Sequence, residues 1–349
     1  MINLKKHTIG QDSLLIEALK KLNSVPHNLT LFVLGDRGEM IGTVTDGDIR
    51  RGLILGLPVS GRVKDFMTRS FSYLPDNSYD PVVIRKIKEK GIKLLPVLNK
   101  SGAISRVIDL SILKTVLPVD AILMAGGNGE RLLPLTEKLP KPMLKIGKKP
   151  IIEHNIDHLL KYGIDNINIS VRYLGHIIEE FLGDGSKKGI NINFTHEDTP
   201  LGTIGAVKEM KGLKSDIVIL LNADIFTNVD YEDLYLTFLE EEADMAIATV
   251  PYAVDIPYAI LGSEDMITVK DLKEKPSFTY YANTGIYMFR KGLIKYIPSG
   301  TRFDATDFIQ KLIGLKKKIV RFPVTGYWFD IGKPEDYIKA QEFAKHIRF

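Results

Sequence analysis

Residues 121–142 read AILMAGGNGERLLPLTEKLPKP, and the order of residue types in this stretch decides the fold around it. An apolar run from Ala121 to Met124 delivers the chain to Gly126-Gly127-Asn128-Gly129, with Arg131 just beyond and Lys141-Pro142 ten residues further on. Glycines have no Cβ, so they accept positive φ and let backbone N–H groups close around phosphate oxygens. Arg131 and Lys141 add full positive charges where a triphosphate carries its negative ones. Two other glycine-loop readings fail. The chain has no G-x-x-x-x-G-K-[ST] stretch. It also lacks the third glycine of a dinucleotide fingerprint, because Gly127-Asn128-Gly129 continues as Glu130-Arg131-Leu132, which argues against nicotinamide chemistry.

The pattern G-G-x-G-x-R-L-x-P-L-T-x-x-x-P-K-P-M-L, complete from Gly126 to Leu144, resembles the sugar-nucleotidyltransferase (nucleoside-diphosphate-sugar pyrophosphorylase) family. The resemblance runs from Val119 to the C-terminus. From Asp120 onward, β-rich runs (Val119–Met124, Ile167–Val171, Ile190–Thr195, Ile217–Leu221, Met245–Tyr252) alternate with helical patterns (Ile151–Tyr162, Leu174–Phe181, Ile204–Lys208, Tyr231–Glu241). Buried strands separated by helices predict a three-layer α/β/α domain with a mostly parallel sheet, the Rossmann-like fold that the resemblance also implies. Its ligand should lie over the C-terminal ends of the strands.

The resemblance implies transfer of a nucleotidyl group from an NTP to a sugar 1-phosphate, with release of pyrophosphate. Both reactants are polyanions, so positioning, cations and Mg²⁺ meet the barrier and no protein nucleophile is needed. Leu123, Ala125, Gly126, Gly127 and Gly129 are expected around the nucleotide, with Arg131 and Lys141 on its phosphates. Asp224, after the apolar strand Ile217–Leu221, and Asp330, in Trp328-Phe329-Asp330-Ile331-Gly332, are the expected Mg²⁺ ligands, a hard ion taking oxygen donors. The segment His196-Glu197-Asp198-Thr199-Pro200-Leu201-Gly202-Thr203 corresponds to the family's base-reading stretch, through Glu197, Gly202 and Thr203. A carboxylate accepts the paired N1–H and N2 amine of guanine, whereas uracil and thymine offer one N–H between two carbonyls, so Glu197 favours GTP. For the sugar the resemblance implies Glu274, Asn283 and Gly285, with Lys275 at the sugar phosphate and Tyr258 in a lining strand; Ala259 stands where the family commonly has glycine. His154, His158, His176 and His196 have no metal-ligand spacing and read as structural or surface residues.

The N-terminal part repeats weakly. Residues 31–45 and 94–109 each read as strand, polar glycine-containing turn and strand, each after a helical stretch (12–23 and 77–90), with Asp76 and Asn77 placed to cap the second helix. This arrangement looks like a tandem pair of cystathionine-β-synthase (CBS) domains, α+β in class. Gly42, Thr45 and Asp48 carry that resemblance, which implies Asp48 on the ribose of an adenine nucleotide and Thr45 near its phosphates. In the second copy Arg106, Asp109 and Ile112 replace these three, so one site at most keeps its ribose clamp. A dimerisation or docking module without ligand is the competing reading. The expected division is residues 1–117 and 118–349, with Thr115 to Pro118 as linker. The pairing of domains is similar to that in guanylyltransferases that activate glucosamine 1-phosphate or a related amino sugar for legionaminic acid.

Composition bounds the rest. At 349 residues, with 44% hydrophobic and 26% charged residues, the chain can build two cores of ordinary globular type. Zero cysteines exclude disulfides, thiolate metal sites and a cysteine nucleophile. No run suggests a membrane span or the apolar core of a signal peptide, so the cytoplasm is the expected compartment. Residues 1–117 hold 18 Lys and Arg against 11 Asp and Glu, net +7, leaving −3 for the remainder. The basic residues are scattered (Lys86, Lys88 and Lys90 on one helix), which points to solvated faces rather than nucleic acid. A homodimer is expected, because paired CBS modules associate. Heptose- or mannose-1-phosphate guanylyltransferase, glucose-1-phosphate thymidylyltransferase and a silent CBS-linked nucleotide sensor are the alternatives.

Overall fold

The computed structural model describes residues 3–25, 29–76, 80–265 and 267–347. The chain divides into two compact units, Met1–Leu117 with Lys161–Gly163, and Pro118–Leu160 with Ile164–Phe349. Thr115, Val116 and Leu117 are buried, so the expected linker is packed chain.

In the first unit α1 (Leu4–His7) precedes β1 (Thr8–Gly10), α2 (Leu15–Asn23), β2 (Thr30–Leu34), β3 (Met40–Thr45), α3 (Asp46–Ile54) and α4 (Val63–Phe66). The second copy holds β4 (Leu74–Pro75), α5 (Pro81–Glu89), β5 (Leu94–Leu98) and β6 (Ile104–Asp109). Both sheets have the same design: β1-β2-β3 and β4-β5-β6, a parallel pair followed by an antiparallel one. Each antiparallel pair even shifts register at the equivalent place, Val33/Leu34 and Val97/Leu98. The repeat read from the hairpins is therefore real. The α5 cap differs from expectation. Asp80 accepts from the N–H groups of Val82 and Val83, and the expected Asn77 lies outside the described residues.

The copies diverge after their hairpins for a local reason. Thr45 and Asp48 form a reciprocal capping box, with Thr45 Oγ1 accepting from Asp48 N–H at 3.2 Å and Asp48 Oδ2 from Thr45 N–H at 2.8 Å, and α3 starts there. In the second copy Asp109 instead accepts from the N–H and hydroxyl of Ser111, closing a turn.

The second unit is built on a seven-stranded sheet ordered β11-β10-β7-β12-β17-β14-β18. In chain order its strands and helices are β7 (Val119–Ala125), a small hairpin β8 (Lys145–Ile146) and β9 (Lys149–Pro150), α6 (Ile151–Lys161), β10 (Asn166–Val171), α7 (Gly175–Leu182) and β11 (Asn191–His196). They continue as β12 (Ile217–Asn222), β13 (Ile225–Thr227), α8 (Tyr231–Glu240), β14 (Met245–Asp255), β15 (Ile260–Gly262), β16 (Asp271–Lys273) and β17 (Ser277–Arg290). The last elements are α9 (Ala305–Gly314), β18 (Ile319–Pro323), β19 (Trp328–Asp330) and α10 (Pro334–Ala344). Strands β7, β10, β11 and β12 run parallel, as do β14 and β18, while β17 is antiparallel to both neighbours. All five residues of Ile217–Leu221 are buried. Successive residues of a strand face opposite ways, so the sheet is covered on both sides, as the alternating pattern predicted.

Two features depart from expectation. Residues 205–209 form a 3₁₀ turn rather than an α-helix. The long β17 lies outside the β-rich runs of the sequence, and with β14 it projects as an exposed ribbon (Val254–Asp255 against Ser277–Phe278 at its far end) tipped by the β15–β16 hairpin.

Candidate active site

Four parallel strands end on the same edge, and each delivers a polar or flexible residue there: Gly126 after β7, Arg172 after β10, Glu197 after β11 and Asp224 after β12. These residues share one cavity of 300 Å³ with Gly127, Gly202, Thr203 and Arg302. A second cavity of 590 Å³ continues along the glycine loop and is lined by Gly127, Gly129, Arg131, Lys141, Arg172 and Asp224, among others.

The loop's form follows from its glycines. Gly129 has φ +67°, and its carbonyl accepts from Thr136 Oγ1 at 2.7 Å, which folds the following 3₁₀ turn Glu130–Leu132 back on the loop. A Cβ at Gly126 would stand 2.5 Å from Glu197 Oε1, so glycine at this position leaves room for that carboxylate. Leu123 and Ala125 are buried within the sheet, and Met124 is the β7 residue that lines the cavity.

Pairing of β13 with β19 places Ile225 opposite Asp330, so Asp224 and Asp330 come together across more than a hundred residues of chain. Lys141 Nζ donates to Asp224 Oδ2 and lies 3.8 Å from Asp330 Oδ1. Burial, and then the charge of Asp224, push Asp330 above the usual carboxylate range, while Lys141 and Arg131 pull it back. Asp224 Oδ1 is buried with no hydrogen-bond partner. An unpartnered carboxylate oxygen beside a second carboxylate is an all-oxygen donor set that fits a hard divalent cation. The two carboxylates form a pair; no group of three or more His, Cys, Asp or Glu arranged for a metal occurs among the described residues.

Glu197 is 7% exposed, and its carboxylate accepts from the Ser170 hydroxyl and from Leu201 N–H. Each oxygen has acceptor capacity beyond its one donor, and Glu197 lines the cavity. Gly202 (φ +81°) packs against Phe303 and Asp304, whose Oδ1 accepts from Thr203 N–H at 2.9 Å. Asp304, itself bonded by Arg302, thus braces the segment that ends at Thr203, and Arg172 donates to Asn128 of the glycine loop. Sequence reasoning missed Arg172, Arg302 and Asp304. Arg172 carries a faint signal as the charged residue that directly follows the buried strand β10; Asp304 lies about a hundred residues from Thr203, and Arg302 donates to Asp304.

The expected sugar residues are less concentrated. Asn283 accepts from Gly285 N–H and donates to Tyr287, beside a separate 300 Å³ hollow with Thr249 and Arg321. Gly285 has φ +75° and packs on Asn222. Glu274 and Lys275 are exposed in the bend between β16 and β17, outside the lining of these cavities. Tyr258 is 75% exposed in a bend, not in a strand as expected, because the chain leaves β14 at Asp255. His154 and His158 bond the carbonyls of Ile146 and Val229, structural roles as expected.

In the first unit, a 710 Å³ cavity is lined by Thr45, Asp48, Arg51, Thr68, Lys90 and Lys93, among others. Asp48 also accepts from Thr45 Oγ1 (2.6 Å), Arg51 (2.5 Å) and Thr68 Oγ1 (3.1 Å). A ribose at Asp48 would therefore have to displace one of these donors.

A mostly parallel sheet with a glycine loop, two basic residues and a carboxylate pair at one edge is the arrangement of a nucleotidyl-transferring α/β enzyme. The nucleotidyl transferase family model matches residues 120–346 and the CBS domain model residues 5–55. The chain belongs to the nucleotidyl transferase family and is a sugar-1-phosphate nucleotidyltransferase with an N-terminal CBS region. It is 32% identical to D-glycero-α-D-manno-heptose 1-phosphate guanylyltransferase of Aneurinibacillus thermoaerophilus, over 65% of this chain and 99% of that protein. It is 30% identical to mannose-1-phosphate guanylyltransferase of Mycobacterium tuberculosis, over 64% of this chain and 63% of that protein. Among solved structures, HddC of Yersinia pseudotuberculosis complexed with GMP-PN aligns with a TM-score of 0.51 at 28% identity, covering 64% of this chain and 99% of that one. Among the described residues no helix is long and apolar enough to cross a membrane.

Proposed function

We propose that the enzyme transfers GMP from GTP to glucosamine 1-phosphate or a related hexosamine 1-phosphate, with Mg²⁺. The observation that carries the transfer is the convergence of the glycine loop, Arg131, Lys141 and Asp224 on one 590 Å³ cavity, with Asp330 beside Asp224. An acceptor phosphate oxygen attacks the α-phosphorus, the bond from that phosphorus to the bridging oxygen breaks, and pyrophosphate leaves with the electron pair. Arg131 and Lys141 face the charge that gathers on the leaving group. Asp224 and Asp330 would hold Mg²⁺, which supplies charge neutralisation at the phosphates when bound. Support for guanine comes from Glu197 lining the base cavity and from relatives named as guanylyltransferases. The hexosamine rests on the domain pairing, and heptose or mannose 1-phosphate is the second reading because the relatives named above act on those sugars. An adenine nucleotide is proposed at the 710 Å³ cavity, its ribose replacing Arg51 at Asp48 and freeing that guanidinium for phosphate.

The test is pyrophosphate release with Mg²⁺, four NTPs and a panel of sugar 1-phosphates. Release with GTP and a hexosamine 1-phosphate alone supports the proposal. Release with heptose or mannose 1-phosphate moves the sugar to the second reading, and release with UTP or dTTP rejects the guanine reading.

A further inference from the structure

The ion pair at the carboxylates has a consequence for how a cation enters, and it rests on the metal-site reading of Asp224 and Asp330. Lys141 Nζ sits on Asp224 Oδ2 and within 4 Å of Asp330, and its side chain is only 11% exposed. The backbone holds the stem in place. Lys141 begins a short 3₁₀ turn, Lys141–Met143, and its Cβ lies 3.3 Å from the position a Cβ on Gly129 would take. The ammonium therefore reaches from the glycine loop into the space where a cation would bind both carboxylates. A divalent ion on Asp224 would share that carboxylate with a like charge at close range, in a half-buried site where screening is weak. Ion and ammonium each weaken the other's hold on Asp224.

We infer that Lys141 is a resident stand-in cation that keeps the carboxylate pair closed to free divalent ions until a nucleotide's phosphates draw the ammonium away. The second destination is on the page, since Lys141 lines the same cavity as Gly127, Gly129 and Arg131. Leaving the carboxylates, it keeps an anionic partner if a polyphosphate occupies that loop. Cation and nucleotide then arrive together, and Asp224 Oδ1, unpartnered in the free protein, gains its partner in that step.

The experiment uses Mn²⁺ as probe, because it takes carboxylate oxygens and its free form is read directly by electron paramagnetic resonance. Full-length wild type, Lys141→Met, Lys141→Arg and the double variant Lys141→Met with Asp224→Asn are titrated without nucleotide. Lys141→Met should bind Mn²⁺ at least about tenfold more tightly than wild type, Lys141→Arg should match wild type, and the double variant should lose the gain. Wild type binding as tightly as Lys141→Met, with binding lost in the double variant, overturns the stand-in role and leaves the metal site standing. No binding to any variant overturns both. Lys141→Gln, which keeps a donor without charge, supplies the comparison if the Met variant fails to fold by circular dichroism.

Discussion

Asp224 shows how little of a residue's role is local. It follows the buried apolar run Ile217–Leu221 closely, after Asn222 and Ala223, yet the carboxylate beside it, Asp330, is supplied by β19. Asp224→Asn should lower pyrophosphate release by about 100-fold or more with an unchanged circular dichroism spectrum, since it removes charge without volume. Undiminished release would take Asp224 out of the metal site. At Asp48, burial pushes the carboxyl up, but hydrogen bonds from the Thr45 side chain and backbone, from Arg51 and from Thr68 outweigh it and hold the group below the usual carboxylate range. A depressed folded-state value means stability that is present at neutral pH and lost as pH falls through the ordinary value, about 3.9, toward the folded one. The melting temperature of Asp48→Asn should therefore lie below wild type at neutral pH, and the gap should close as pH falls below about 4. A gap independent of pH would mean that packing, not charge, accounts for the loss.

At the scale of elements, the first unit contrasts two hairpins of one design. Thr45 and Asp48 cap a helix where Asp109 and Ser111 close a turn, and α3 has no counterpart after β6. Asp80 is the cap of α5, and Asp80→Ala should cost about 1 kcal/mol in urea unfolding; no change would assign helix start to Pro81 at the first helical position. In the second unit β17 joins the parallel half of the sheet to β14. Phe289 is fully buried there, 6.0 Å from the Phe308 ring of α9. Phe289→Ala should destabilise by about 3–5 kcal/mol, readable as a lowered denaturation midpoint. Residues 277–282 of β17 are exposed or half-buried and 284–289 are buried, so no single periodicity runs through the strand and sequence reading passed over it.

At the scale of the whole molecule, the 710 Å³ cavity and the transferase cavities belong to separate compact units. AMP, ADP or ATP should raise the melting temperature of the full chain, by about 2.7 kcal/mol of stabilisation at a hundred times the dissociation constant, and Asp48→Ala should abolish the shift. No shift with any of the three returns the CBS region to a ligand-free docking role. Much of this organisation could be read along the chain. The glycine loop, the individual strand segments, α6 to α8 and the hairpin repeat each depend mainly on neighbours within a few residues, through hydrogen bonds, periodic burial and φ preference. Tertiary structure decided the rest. It set Asp330 beside Asp224, put Lys141 between them, brought Arg302 and Asp304 under Thr203, and left Tyr258, Glu274 and Lys275 on an exposed ribbon. Those relations depend on strand order and on pairings across a hundred residues, which follow from how two sheet faces are buried together and which no local pattern encodes.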